Sequence, residues 1–142
     1  MQGQDLQGCF CAYILAEAGF RPIVIERGSR VEKRTCDVQK FWESGILNPK
    51  SNVQFGEGGA GTFSDGKLNT SVKDPSGRNR LVLETFVRFG ADPSILYDNK
   101  PHIGTDVLSE VIVNMREFLV DKGTTFIFDT CVSNLDIVLK SY

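Results

Sequence analysis

The chain has 142 residues, of which 41% are hydrophobic and 24% are charged, as in ordinary folded domains. Its formal net charge is -2, and no stretch concentrates Lys or Arg, so a nucleic-acid partner is not expected. The longest apolar runs, such as Ile23–Ile25, are too short to span a bilayer, and the first residues do not form a secretory signal. These properties predict a cytoplasmic protein with one folded core.

Cysteine usage gives no sign of a metal site. Cys9, Cys11, Cys36 and Cys131 form no CxxC pair, and His102 is the single histidine of the chain, so the spacing of metal ligands is absent. We interpret the four cysteines as reduced packing residues, with Cys9 and Cys11 as small apolar fillers of the first helix. Reduced thiols agree with the expected cytoplasmic location.

The first half of the chain predicts two helices around one strand. Apolar side chains at helical spacing predict a helix over residues 8–19, with Gly19 at its end. Residues 22–26 have a β-branched apolar centre, which is typical of a strand buried on both faces of a parallel sheet. A largely polar helix is expected over Val31–Ser44. Residues 48–67 are rich in Gly and Ser without any period, which predicts an ordered loop with little regular backbone.

The second half of the chain predicts two further helices and two strands. Asp74 and Pro75 are the residue types of an N-cap and a first helical position, and this helix is expected to end at Gly90. The clearest helix covers residues 105–122, with Thr105 as its cap and an apolar stripe along one side. Residues 124–129 and 132–138 are predicted to be strands. This mixed order of elements indicates an α/β fold.

The strand predicted over residues 22–26 ends on an acidic residue, Glu26. In dinucleotide-binding βαβ units, an acidic residue at the end of the second strand hydrogen-bonds the adenosine ribose, about 20 residues after a glycine-rich turn. Glu26 follows Gly3 by 23 positions and Gly8 by 18, with a predicted helix and strand between. The spacing therefore favours a ribose-binding role over that of a solvated surface charge.

The glycine-rich turn itself is incomplete. Residues 3–8 keep the first and third glycines of G-x-G-x-x-G, Gly3 and Gly8, but Asp5 occupies the middle position. The middle glycine allows the backbone to approach the pyrophosphate, and a carboxylate at that position opposes a diphosphate through its size and its charge. We therefore expect the isolated chain to bind a dinucleotide weakly or not at all.

Residues 52–68, called the glycine block below, are the most unusual part of the sequence. Its glycine density allows consecutive backbone N–H groups to turn toward one anion, and Thr62, Ser64 and Lys67 add further donors. Residues 61–67 also satisfy the G-x-x-x-x-G-K pattern of a P-loop. However, Leu68 stands where a P-loop needs Ser or Thr to hold Mg²⁺, which argues against a nucleoside triphosphatase.

Several stretches together resemble a known family. Residues 8–13 and 23–28 are similar to the first helix and second strand of the FAD-dependent dehydrogenases of the glutathione reductase superfamily. The glycine block and residues 100–106 resemble further signatures of that family. The resemblance covers nearly the whole chain from Gly8 onward. Because family members are several hundred residues long, it covers only their N-terminal part.

The resemblance implies a cofactor and the residues around it. FAD would be bound by this region, with NAD(P)H as an electron donor in the full-length family. Glu26 would face the adenosine ribose with Arg27 beside it, and Asp65 would either lie near the cofactor or serve a turn. The residues implied to bind FAD are Gly3, Gly8, Glu26, Arg27, Gly58, Gly59, Ala60, Gly61, Thr62, Ser64 and Lys67.

Two residues are candidates for acid–base chemistry, His102 and Asp106. Thr105 and Asp106 are explained completely by the start of a helix, so a structural role is favoured for them. No catalytic residue, metal ligand or particular small-molecule substrate follows from the sequence.

The start of the chain departs from the family pattern. The family begins with an apolar strand, whereas only Met1 and Gln2 precede Gly3. The expected fold class is α/β, a partial Rossmann-like FAD-binding domain over residues 1–142 that lacks its first strand. Cofactor-binding elements would occupy residues 3–68, and residues 74–142 would lead into an inserted α+β region. The missing strand would expose a sheet edge beside Ile23–Ile25, which favours self-association.

Two functions remain open at this point. The first is a segment of a flavin-dependent oxidoreductase, in which FAD transfers a hydride or electrons to or from an unknown small molecule. The second is a non-catalytic α/β remnant that does not bind flavin by itself. Asp5 and the absent first strand favour the second function for the isolated chain.

Overall fold

The computed structural model describes residues 6–68 and 74–136. Within these ranges the chain is a mixed α/β structure with four α-helices and a two-stranded parallel sheet. None of the described helices has the length and apolar character needed to cross a membrane. The elements in chain order are α1 (Leu6–Glu17), β1 (Ile23–Ile25), α2 (Val31–Ser44), a first 3-10 helix (Ala60–Phe63), α3 (Arg78–Arg88), a second 3-10 helix (Pro93–Leu96), α4 (Thr105–Asp121) and β2 (Thr125–Ile127).

Three of the predicted helices are confirmed with ends within two residues of those expected. α2 covers Val31–Ser44 as predicted, and the backbone N–H of Gly45 donates to the carbonyl of Phe41 at 2.8 Å to close it. α1 begins at Leu6, which places Gly8 in its first turn. α4 ends one residue before the predicted stop. The agreement reflects the dependence of helix formation mainly on neighbours along the chain.

The predicted start of α3 is wrong. This helix begins at Arg78, and a turn that includes Gly77 separates it from Asp74. The carboxylate of Asp74 still accepts the N–H of Asn79 at 2.5 Å. Asp74 therefore satisfies a free N–H of the first helical turn from outside the helix, rather than as the residue that begins it.

The predicted cap of α4 is also wrong. Gly104 occupies the N-cap position, and no side chain accepts a hydrogen bond there. Thr105 is the first helical residue, and its carbonyl accepts the hydroxyl of Ser109 at 2.7 Å. Asp106 lies in the first turn, where its negative charge is favourable near the positive end of the helix.

The described residues cover only one of the two faces of the sheet. β1 and β2 are parallel, with Val24 opposite Phe126 and Ile25 opposite Ile127. Val24 is buried and Phe126 packs against the core. Side chains alternate along a strand, and on the other face Ile23 is 56% exposed and Ile127 is 39% exposed. The expectation of a strand buried on both faces is therefore wrong for β1.

The last predicted strand is not observed. Residues 132–136 have no regular secondary structure, and residues 137–138 lie outside the described ranges. The side chain of Asn134 donates to the carboxylate of Asp136 at 3.0 Å, and Leu135 is 76% exposed. Asn and Asp side chains that bond locally compete with a strand ladder, so the apolar residues of this segment do not form one. The sequence predicted two strands and the start of an inserted α+β region within residues 74–142. In the described part of this range the structure has one strand, β2.

The core lies between α1, α3 and α4. Helix α1 contributes Cys9 and Ala12, α3 contributes Phe86, and all three side chains are buried. Cys11, Cys36 and Cys131 are exposed, so the expected packing role is wrong for these three cysteines. The largest share comes from α4, whose buried apolar side chains are Leu108, Val111, Ile112, Met115 and Leu119.

Candidate functional site

The turn after β1 lies directly against the glycine block. A Cβ atom on Gly28 would stand 2.6 Å from the Cα of Gly56 and 2.8 Å from the carbonyl oxygen of Lys50. No side chain fits at that distance, so glycine is required for the backbones to meet. The N–H of Glu57 also donates to the carbonyl of Ser29 at 3.0 Å. The carboxyl end of β1 and the glycine block therefore pack together and form one corner.

Glu26 follows the last residue of β1, so the expectation that it ends a strand is confirmed. Its carboxylate accepts the N–H of Gly28 at 2.7 Å, and the residue is 4% exposed. Its backbone N–H donates to the carbonyl of Ile127 at 2.8 Å. Arg27 beside it is stacked over the ring of Phe55, with 4.7 Å between guanidinium carbon and ring centroid. Both predicted ribose-side residues thus adjoin the glycine block.

The start of α1 reaches the same region. Gly8 is buried in the first turn of α1, so its expected place near the helix N-terminus is confirmed. A Cβ atom on Gly61 would lie 3.3 Å from the Cδ1 of Leu6. The first turn of α1 therefore adjoins the first 3-10 helix. Gly3 and Asp5 lie outside the described residues.

The centre of the glycine block forms tight turns on itself. The N–H of Gly59 donates to the carbonyl of Gly56 at 3.0 Å, and that of Thr62 donates to Gly59 at 3.3 Å. Ala60 and Gly61 open the 3-10 helix that follows. The Thr62 side chain is fully buried, and its hydroxyl has no hydrogen-bond partner in the part of the chain that the structure describes. The central residues predicted to bind the cofactor, Gly58, Gly59, Ala60, Gly61 and Thr62, lie together in this compact segment.

Ser64, Asp65 and Lys67 are joined to one another and to the block. The Ser64 hydroxyl donates to the carbonyl of Gly61 at 2.8 Å. Asp65 accepts the backbone N–H of Lys67 at 3.3 Å and forms an exposed ion pair with its ammonium at 2.8 Å. This hydrogen-bonded pairing lowers the pKa of Asp65 and raises the pKa of Lys67. Asp65 has the contacts of a turn residue, one of the two roles that the sequence left open.

His102 pairs with the end of the glycine block. Lys67 and His102 form an antiparallel bridge, and the N–H of Ile103 donates to the carbonyl of Gly66 at 2.9 Å. The N–H of Leu68 donates to the carbonyl of Pro101 at 3.0 Å. The glycine block and residues 100–106, which resemble two separate family signatures, are therefore in direct backbone contact. The sequence did not predict this contact.

A cluster of charged side chains, of which only Glu32 is exposed, supports the glycine block, and the sequence reasoning missed it. Glu57 is fully buried, and its Oε2 accepts the N–H of Val31 at 2.8 Å and a hydrogen bond from Arg116. Arg116 also pairs with Glu32 at 2.5 Å. Burial raises the pKa of Glu57 to about 7, although the bond from Val31 and the charge of Arg116 lower it in part. Helices α2 and α4 are thus joined through a carboxylate of the glycine block.

The fourth member of this cluster, Arg34, is also fully buried. A signal for it was present in the sequence. Arg34 lies three positions after Val31 and four before Val38, on the apolar stripe of α2, and both valines are buried. A charged residue at such a position either has a partner in the interior or indicates that this face of the helix is not buried. The otherwise polar composition of α2 conceals this position in the sequence.

Two cavities lie outside the residues that are predicted to bind the cofactor. One cavity of about 380 Å³ is lined by Phe41, Leu47 and residues 52–55 of the glycine block. Another of about 600 Å³ lies between α4 and β2 and includes Arg30 and Thr124. Neither cavity is lined by Glu26 or by residues 58–62.

Comparison with known proteins finds sequence similarity but no family assignment. No family model matches this chain. The chain is similar to an uncharacterized protein of Clostridium beijerinckii, with 54% identity over 110 residues, which cover 78% of this chain and 20% of the relative. The chain therefore spans about a fifth of the length of the curated relative it matches.

Proposed function

We propose that this chain is part of a flavin-dependent oxidoreductase and supplies part of its FAD-binding site in a Rossmann-like domain. The observation that carries the proposal is the backbone contact between Gly28 and Gly56, which joins the end of β1 to the glycine block. Dinucleotides bind at the carboxyl ends of parallel strands in such folds. Glu26, the first turn of α1 and residues 58–62 lie around this one corner.

The residues present fit a dinucleotide in their chemistry. Glu26 would offer its carboxylate to the ribose hydroxyls, with Arg27 beside it. Glycines at the Gly28–Gly56 and Gly61–Leu6 contacts allow these segments to approach one another closely, and glycine-rich backbone beside a helix start is suited to a pyrophosphate. When bound, FAD supplies hydride or electron transfer, and the protein binds and orients it. The substrate is an unidentified small molecule, with NAD(P)H proposed as electron donor in a longer protein.

A flavin titration tests the ribose assignment. We expect Glu26→Ala to weaken FAD binding more than Arg27→Ala, because a carboxylate can accept two ribose hydroxyls whereas Arg27 only borders the site. Glu26→Gln is the matched variant, since its amide oxygen can still accept the N–H of Gly28 and preserve the turn. Quenching of flavin fluorescence measures the affinity. The comparison applies to a form of the chain that binds FAD, and in that form equal affinities with and without Glu26→Ala contradict the assignment.

The alternative is a non-catalytic α/β remnant that does not bind flavin by itself. Asp5 favours it, because a like charge beside a partly desolvated diphosphate costs about several kcal/mol, and each 1.4 kcal/mol is about tenfold in affinity. We expect Asp5→Gly, combined with an apolar strand added before Gly3, to yield yellow, flavin-loaded protein. Unmodified chain that purifies with stoichiometric FAD contradicts the alternative. The cytoplasmic location and self-association through a sheet edge stay predictions.

A further inference from the structure

The side chain of Arg34 reaches from α2 beneath the first part of the glycine block. Its Nε donates to the carbonyl of Asn52 at 2.8 Å, and Nη2 donates to that of Val53 at 2.8 Å. Its Nη1 donates to the carbonyls of Gly56 at 3.2 Å and Glu57 at 2.6 Å. One guanidinium thus binds four carbonyl oxygens of a segment that has no helix or strand of its own.

The surroundings of Arg34 hold it in one orientation. Its guanidinium carbon lies 4.7 Å from the centroid of the Phe63 ring, which also belongs to the glycine block. A Cβ atom on Gly56 would overlap the side chain, with the Nε of Arg34 at 2.9 Å. Burial lowers the pKa of Arg34 to about 10, although the charges of Glu26 and Glu57 raise it in part. The guanidinium is therefore charged at neutral pH and enclosed by the block.

The shape of residues 52–57 follows from this contact. Arginine presents five donors in a rigid planar fork, whereas lysine offers a compact point charge on a flexible stem. The four carbonyls bonded to Arg34 match the donors of this fork and outnumber the three donors of an ammonium. Since C=O and N–H point in opposite directions across a trans peptide unit, gathering carbonyls on one side turns the N–H groups of those units to the other.

We propose that Arg34 is the positioning residue of the glycine block. It fixes residues 52–57 against the turn after β1, so that residues 58–62 are held in one conformation before the anionic part of a cofactor arrives. This inference rests on the proposed flavin function and deepens it. A preformed site loses less conformational freedom on binding, so the contact contributes to affinity without touching the cofactor.

Hydrogen–deuterium exchange of the 142-residue chain without flavin tests the positioning directly. The N–H groups of Asn52 and Glu57 are hydrogen-bonded within this corner and report its opening. We expect Arg34→Lys and Arg34→Met to exchange these amides about tenfold faster or more, with the amides of α4 unchanged. Lys33→Met is the matched control, because Lys33 is the neighbouring residue and its side chain is 63% exposed.

A flavin titration of the same variants separates the two proposals. If Arg34 positions the glycine block, the Arg34→Lys variant binds FAD about tenfold more weakly or worse, while the Lys33→Met variant binds FAD as the unchanged chain does. If the unchanged chain and its Asp5→Gly form with an added first strand both bind no FAD, the flavin proposal fails, and the exchange data alone decide the role of Arg34. The positioning role is overturned if Arg34→Lys keeps normal exchange in the block. It is equally overturned if that variant does not fold or its α4 amides exchange as fast as the block, since either outcome means a general loss of stability.

Discussion

The helical core and the corner around the glycine block are both buried, but by different kinds of residues. Between α1, α3 and α4 the interior is apolar, and Val111, Ile112 and Leu119 are fully buried. At the corner, the fully buried residues include Arg34 and Glu57, and glycine backbones touch without side chains between them.

The comparison shows that the same degree of burial has different consequences. Apolar burial is not directional, so a core accepts substitutions of similar volume at small cost. A buried charge is stable only while its partners are in place, because an unpaired charge in the interior is very unfavourable. We therefore expect the corner to be more sensitive than the core to small chemical changes, which suits a region that must keep one shape.

The largest effect is expected from Arg116→Met. This change leaves Glu57 buried without its cationic partner, and breaking a buried pair costs about 3–5 kcal/mol. Denaturant unfolding measures the free energy of unfolding. Arg80→Met is the control, because Arg80 pairs with Glu84 at the surface at 2.7 Å, where such pairs contribute about 0–1 kcal/mol. Similar losses in the two variants contradict the proposed difference between the regions.

The pH dependence of Glu57→Gln is the next largest effect. The pKa of Glu57 is raised from 4.5 to about 7 in the folded chain, so the folded state holds more protons than the unfolded state between these values. The stabilisation is complete below about pH 4.5 and is lost as the pH rises through about 7. Across this range the unchanged chain should lose about 3 kcal/mol relative to Glu57→Gln.

Urea unfolding of both chains at pH values spanning this window measures the difference. The charged groups that face Glu57 are Arg116, Glu32 and Arg34, and all three are present in both chains. Subtracting the two profiles therefore isolates Glu57. Parallel profiles would show that Glu57 titrates in the ordinary range and that the corner does not raise its pKa.

Gly28→Ala tests the backbone contact with a single added methyl group. We expect a loss of about 1–3 kcal/mol in the free energy of unfolding, because the methyl meets backbone atoms that cannot move aside easily. Gly61→Ala is the matched control, since the nearest atom to its methyl is the end of the Leu6 side chain at 3.3 Å. A tolerated alanine at Gly28 would mean that the turn and the glycine block are not in contact.

The smallest effect is expected in the core, from Ile112→Val. Removing one buried methyl group of this type costs about 0.5–1.5 kcal/mol. The lost atom, Cδ1, lies next to Gly58. This variant therefore also tests whether packing of the apolar core determines the conformation of the glycine block. We expect hydrogen exchange in residues 52–62 to stay unchanged. Faster exchange there would show that apolar packing, and not the buried charges, holds the glycine block.

Several features of this protein were determined by local sequence alone. The limits of α2, the stripe of α4, the strand before Glu26 and the irregular backbone of residues 48–59 were all predicted. Each depends on residues within a few positions of one another, through side-chain periodicity or glycine content. The helix start at Asp74 and the cap at Thr105 were predicted wrongly, because a cap depends on the angle at which the chain enters the helix, which residue type alone does not set.

Only the tertiary structure decided how the buried charges are paired and which face of the sheet is covered. Arg34 meets its carbonyl partners 18 to 23 positions further along the chain, and Arg116 meets Glu57 across 59 positions. Whether a charged side chain on an apolar stripe is stabilised depends on the groups that another segment brings to it. Ile23 is apolar by sequence, but its exposure was set by what packs against β1, and that is a property of the whole fold.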